Sequence, residues 1–123
     1  MDTLANREGF IWMDGQLIDW ADAKVHVLTH TLHYGLGVFE GVRAYSTPKG
    51  TKIFRLNDHT NRLFESAKAV NMKIPFSQQE INEAQKEVFR VNELDEGYIR
   101  PMCFYGSEGM GCLLYTSPSP RDH

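Results

Sequence analysis

Val38-Phe39-Glu40-Gly41-Val42-Arg43-Ala44-Tyr45, then Ser46-Thr47-Pro48-Lys49-Gly50, then Thr51-Lys52-Ile53-Phe54-Arg55-Leu56, is the stretch that decides the fold class. Apolar and polar residues alternate through 38–45, the period of a strand with one face buried. The next five residues are turn formers, and 51–56 reads as the return strand. Upstream, Phe10-Ile11-Trp12-Met13, Asp14-Gly15 and Gln16-Leu17-Ile18 repeat the pattern over 10–18. There the Asp-Gly pair suits the positive φ values of a two-residue hairpin turn. Downstream, Gly97-Tyr98-Ile99-Arg100-Pro101-Met102-Cys103-Phe104-Tyr105 reads as a last strand over 97–105. Between them the spacing predicts two helices. One spans about 57–70, capped by Asn57 or Asp58, with Leu63, Phe64 and Ala67 on one face. The other spans about 77–92, opened by the capping box Ser77-Gln78-Gln79-Glu80 and carrying Ile81, Ala84, Val88 and Val91 at helical spacing. Strands and helices alternate without a strict βαβ rhythm. The class is therefore α+β: mainly an antiparallel, hairpin-rich sheet with two helices.

The chain has 123 residues, 41% hydrophobic and 24% charged, with a formal net charge of -3. One ordinary globular domain is the natural reading. Lys and Arg are scattered, so there is no electrostatic footprint for nucleic acid and no basic helix for a membrane surface. No apolar run reaches membrane-spanning length, and residues 1–9 lack the basic and apolar regions of a signal peptide. Residues 112–122, written back into DNA, resemble a transposase adapter used in sequencing libraries. On that reading 112–123 is a non-native, disordered tail. The native reading then stops at Gly111, and the chain is the front of a longer protein. Its Ser117-Pro118-Ser119-Pro120 run can continue neither helix nor ladder, since proline has no N–H. Excluding Cys112 leaves Cys103 without an internal disulfide partner, which fits a reducing cytoplasm.

Several residues invite a chemical role. His26, His30 and His33 share a spacing that puts metal ligands on one helix face, but no Glu general base lies between them. Structural histidines are the better reading, and no metal is expected. Gly35-Leu36-Gly37 with Gly41 does not match a dinucleotide fingerprint, because it leads into a strand. These glycines instead let backbone approach a flat ligand. Arg62 lies early in the first predicted helix, where the macrodipole disfavours a cation. An anion docking there would explain it; a solvated surface arginine is the alternative. Arg43 and Arg100 lie in strand patterns beside Tyr45 and Tyr98. They suit a substrate carboxylate or, equally, a solvated strand face.

Taken together these residues resemble the branched-chain amino-acid aminotransferases, of the fold-type IV class of pyridoxal 5'-phosphate (PLP) enzymes. The matching segments are Ile11-Trp12-Met13-Asp14-Gly15, Ala23-Lys24-Val25-His26-Val27, His33-Tyr34-Gly35, the 38–45 block, Phe54-Arg55-Leu56, Asp58-His59, Asn61-Arg62-Leu63, Ser66-Ala67, Tyr98-Ile99-Arg100-Pro101 and Gly109-Met110-Gly111. The resemblance covers residues 10–111 and implies the small N-terminal domain, here 1–111, of a two-domain enzyme. It implies a parent that exchanges amino groups between leucine, isoleucine or valine and 2-oxoglutarate, acting as at least a homodimer. It places Arg62 at the cofactor phosphate, and Tyr34, Phe39, Gly41, Arg43, Tyr98 and Arg100 around the substrate. Tyr34 would reach into a neighbouring subunit, and Arg100 would meet the second carboxylate of glutamate. The Schiff-base lysine belongs to the missing C-terminal domain, and no lysine here matches it, so no catalytic residue is assigned and the chain alone is expected to be inactive. Tyr34, Phe39, Tyr98 and Phe104 are expected on the face that the missing parts would cover. A D-amino-acid aminotransferase or aminodeoxychorismate lyase fragment, or a non-catalytic small binding module, are the alternatives.

Overall fold

The computed structural model describes residues 7–106 and 109–117. Its strands are β1 (Phe10–Met13), β2 (Gln16–Asp19), β3 (Gly37–Phe39), β4 (Val42–Thr47), β5 (Gly50–Ile53), β6 (Gly97–Tyr105) and β7 (Met110–Ser117). They form one sheet in the order β2-β1-β7-β6-β4-β5, with β3 also on β6, and every pairing is antiparallel. The helices are α1 (His30–Tyr34), α2 (Leu56–Ala69) and α3 (Gln78–Val91), with a 3-10 turn at Trp20–Asp22. The α+β class holds, and the two predicted helices are α2 and α3. The short α1 and the 3-10 turn lie in a segment whose sequence shows no period.

Asp14 and Gly15 both take positive φ, 52° and 94°, and close the β1–β2 hairpin in register Met13 with Gln16. The Ser77 hydroxyl accepts from the Glu80 amide and the Glu80 carboxylate accepts from the Ser77 amide, each at 3.0 Å, so the capping box opens α3. The start of α2 differs from expectation. β5 ends at Ile53, and the N-cap is Arg55 in the left-handed region, without a side-chain cap. Asp58 is drawn off by a 2.7 Å bond to the Arg55 Nε, and the Asn57 side chain accepts from Asn82.

The expected strand 38–45 is interrupted, yet its register is continuous. Val38 pairs with Cys103, and Val42 pairs with Ile99. At the interruption the Glu40 amide donates to the Pro101 carbonyl at 3.0 Å. Pro101 has no N–H to return the bond, so the ladder lapses there without a slip. Alternation sorts the side chains. Val38, Glu40, Val42 and Ala44 are buried with Ile99, Pro101 and Cys103, under Leu63 and Ala67 of α2 and Ile81, Ala84 and Val88 of α3. Phe39, Gly41, Arg43 and Tyr45, with Tyr98 and Arg100, have the opposite parity and form the open face.

β7 corrects the expectation of a structureless tail from Cys112 onward. Residues 110–117 pair with β6 along its length, and Leu113 and Leu114 pair with β1. Cys112, Leu114 and Thr116 are buried at alternate positions. A run with that period, reaching an open edge of β6, gains apolar burial and a ladder together. Residues 118–123, with both predicted ladder-breaking prolines, lie outside the described residues. Nor is Cys103 alone: its sulfur lies 2.9 Å from that of Cys112, both as free thiols. The contact with Cys103 and burial push the Cys112 thiol far above the ordinary range.

Candidate functional site

Two groups of polar side chains flank the β3–β4 junction, one on each face of the sheet. On the open face, the Arg100 guanidinium lies over the Phe39 ring, 4.5 Å from its centroid. Its Nη2 donates to the Tyr98 hydroxyl at 3.0 Å. Tyr98 and Arg100 are two apart on β6 and so share a face. Continuing the register puts Gly41 opposite Arg100. The structure thus brings Phe39, Gly41, Tyr98 and Arg100 together. Arg43 is paired with Tyr98 along the same row and sits 5.9 Å from the Tyr45 ring. Arginine stacked on rings, with N–H donors to spare, suits a planar carboxylate.

On the other face lies a cluster that the sequence reading missed. Glu40 is 6% exposed. Its carboxylate accepts from Arg62 through Nε at 2.9 Å and Nη2 at 2.8 Å, and from the His59 Nδ1 at 2.9 Å. An ionised carboxylate only accepts, so the ring nitrogen is the donor. Burial pushes the Glu40 carboxyl up, but the hydrogen bonds and charges of Arg62 and His59 outweigh it and hold it below the ordinary carboxylate range. The same bond raises the Arg62 guanidinium. The Arg62 side chain is 65% exposed. It lines a hollow of about 360 Å³ with Phe54, Arg55, Asp58 and His59 at the start of α2. The signal for Glu40 was available: a charge at the buried parity of an apolar strand requires a partner.

Tyr34 stands apart from both groups. It ends α1, is 75% exposed, and meets His30 ring to ring at 4.5 Å. His33 bonds the Val27 carbonyl through Nε2, and the His26 Nδ1 accepts from the Leu28 amide, so both serve the local backbone. Of the aromatics expected on a surface for the missing parts, Tyr34 and Phe39 (58%) are exposed and Tyr98 is half-buried. Phe104 is a correction: it is 6% exposed, with its ring against Gly111 of β7.

The pattern described as amino-transferase class IV matches residues 37–122, from β3 onward. The chain belongs to the class IV aminotransferase family. Among curated relatives, the branched-chain-amino-acid aminotransferase of Pseudomonas aeruginosa is 65% identical over 109 residues, 89% of this chain and 36% of the relative. That of Escherichia coli K12 is 47% identical over 102 residues, 83% of this chain and 33% of the relative. The chain therefore spans about a third of the length of the curated relatives it matches. In structure it is similar to the T.th. branched-chain amino acid aminotransferase complexed with N-(5'-phosphopyridoxyl)-L-glutamate, with a TM-score of 0.86 and 42% identity over 89% of this chain and 40% of that one.

Proposed function

We propose that this class IV aminotransferase chain is the small N-terminal domain of a branched-chain amino-acid transaminase. The parent moves the amino group of leucine, isoleucine or valine to 2-oxoglutarate with PLP as cofactor, in the cytoplasm and as at least a homodimer. The observation that carries the substrate reading is the open-face group: an aromatic wall from Phe39 and Tyr98 around one anchored cation, Arg100. Such a surface accepts a branched aliphatic side chain by apolar contact and a second carboxylate by ion pairing, as a site serving both leucine and glutamate must. Its likeness to relatives of that name, up to 65% identical, supports the same reading.

The residues present fit one part of the cofactor. Arg62 has its Nε and Nη2 on Glu40 and an exposed side chain in a hollow shared with His59 and with Arg55, itself paired with Asp58; the guanidinium there is of the kind that meets a phosphate. PLP supplies the electron sink for amino-group exchange, and the lysine that holds it is expected outside this chain. Within this chain, Arg62 receives the phosphate and Glu40 fixes its guanidinium. Phe39, Gly41, Arg43, Tyr98 and Arg100 shape and charge the substrate wall. Tyr34, exposed at the end of α1, reaches toward a neighbouring subunit. The 123-residue chain alone is inactive.

The test joins residues 1–111 to the remaining two thirds of the Pseudomonas aeruginosa relative and measures the half-reactions with leucine and with glutamate. Arg100→Ala is expected to lower kcat/KM for glutamate more than tenfold beyond its effect on leucine. Removing one partner of a buried ion pair costs on the order of 2–5 kcal/mol, and about 1.4 kcal/mol is a factor of ten. Equal losses for the two donors would remove Arg100 from this role.

A further inference from the structure

Gly41 has no side chain, and the space a side chain would fill is taken. A Cβ at position 41 would fall on the Tyr98 hydroxyl and lie 2.7 Å from the Tyr98 Cζ and 3.1 Å from its Cε2. The glycine is not there for its backbone: it is absent from the residues with positive φ and sits inside a continuous antiparallel register. Its value lies in the vacancy. The Tyr98 hydroxyl rests over the Gly41 backbone, and from that place it accepts from the Arg100 Nη2. The Phe39 ring supports the same guanidinium by stacking. Arg100 is thus held by a stack and by a hydrogen bond, and the acceptor of that bond stands where it does because residue 41 is glycine.

We propose that Gly41 is a specificity-determining position, because its vacancy seats the Tyr98 hydroxyl and thereby aims the Arg100 guanidinium at a dicarboxylate substrate. The inference rests on the reading of Arg100 as the receptor of the second carboxylate. It adds that the choice between dicarboxylate and aliphatic substrates is set partly by a missing methyl group on the neighbouring strand. The atoms a Cβ would strike are the far end of the Tyr98 side chain, not backbone. Gly41→Ala is therefore met by rotation of Tyr98 and leaves the sheet intact. The released guanidinium keeps its charge but loses its fixed direction, which costs affinity only where a carboxylate must be met in one geometry. Leucine, with an aliphatic side chain, is insensitive to that direction. Tyr98 and Gly41 are positioning residues in this account, acting through Arg100.

Two measurements test it. In the 123-residue chain, guanidinium rotation at Arg100, followed by nitrogen NMR exchange, is expected to be slow in the wild type and faster in both Gly41→Ala and Tyr98→Phe. In the joined full-length enzyme, each of those variants is expected to lose roughly tenfold more in kcat/KM for glutamate than for leucine. The pair Gly41→Ala with Tyr98→Phe is expected to lose no more than either alone, since both cut the same link. Unchanged Arg100 rotation in Gly41→Ala, or parallel losses for leucine and glutamate, would overturn the proposal. If Arg100→Ala itself fails to separate the two donors, the carboxylate-receptor reading falls. If Arg100→Ala separates them and Gly41→Ala does not, the receptor stands and the positioning role of Gly41 falls.

Discussion

Glu40 is the residue on which the cluster with His59 and Arg62 turns. Its carboxylate is buried, accepts from Arg62 and His59 of α2, and titrates below its ordinary range. A carboxyl whose folded value lies below its unfolded one stabilises the fold fully above the unfolded value, and that contribution is lost as pH falls through the folded one. Stability of the chain should therefore decline through the acid range, from about pH 5 downward. Glu40→Gln keeps an acceptor but removes the charge. It is expected to cost about 1.5–3 kcal/mol at neutral pH, the range for a hydrogen bond to a charged group, and to flatten the acid decline. Urea unfolding of both proteins at several pH values reads this out. Curves that fall in parallel would mean that another carboxyl carries the acid sensitivity.

Among the elements, β7 shows most clearly how pairing overrides a reading of origin. Whatever supplied residues 112–117, their alternation places Cys112, Leu114 and Thr116 on the buried parity, and β6 offers a strand to pair with. Leu114 is 1% exposed and also meets β1 through its register with Trp12. Leu114→Ala is expected to cost about 2–5 kcal/mol, the usual range for a buried leucine. A chain ending at Gly111 should lose at least as much. Denaturant midpoints for the three chains measure it. An unchanged midpoint would mean that β7 adds nothing to the fold, as expected of a disordered tail.

For the whole molecule, the consequential fact is that large apolar side chains are left uncovered in several places. Val27, Leu28, Leu32 and Tyr34 around α1, with Phe39 and Phe54, are each more than half exposed. Surfaces of that kind mark places where other protein packs. In the proposed parent these are the remaining domain and a second subunit. The isolated chain is therefore expected to self-associate and to bind a dye for apolar surface, both declining in the joined full-length enzyme. Sedimentation velocity across a tenfold concentration range decides it: a single monomer species without dye binding would show that this surface needs no cover.

Local rules were enough for the parts of this protein whose physics is local. The Asp14-Gly15 turn, the Ser77–Glu80 capping box, the helical stripes of α2 and α3, and the two-residue period of β4 and β6 depend on neighbours a few positions away, so they could be read from residue types in order. Of the residues grouped as Phe39, Gly41, Tyr98 and Arg100, Gly41 and Arg100 stand out by residue type and strand pattern, whereas Phe39 and Tyr98 gain a site role only through the family resemblance. That one hydroxyl, one ring and one empty Cβ position converge on a single guanidinium is a fact of strand register. The same holds for Glu40, whose partners lie 19 and 22 residues away on α2, for the lapse opposite Pro101, and for the ladder that takes in β7. Tertiary structure decided these, because backbone pairing between distant strands and the burial of one sheet face set which side chains meet, and neither is written in the spacing of any single segment.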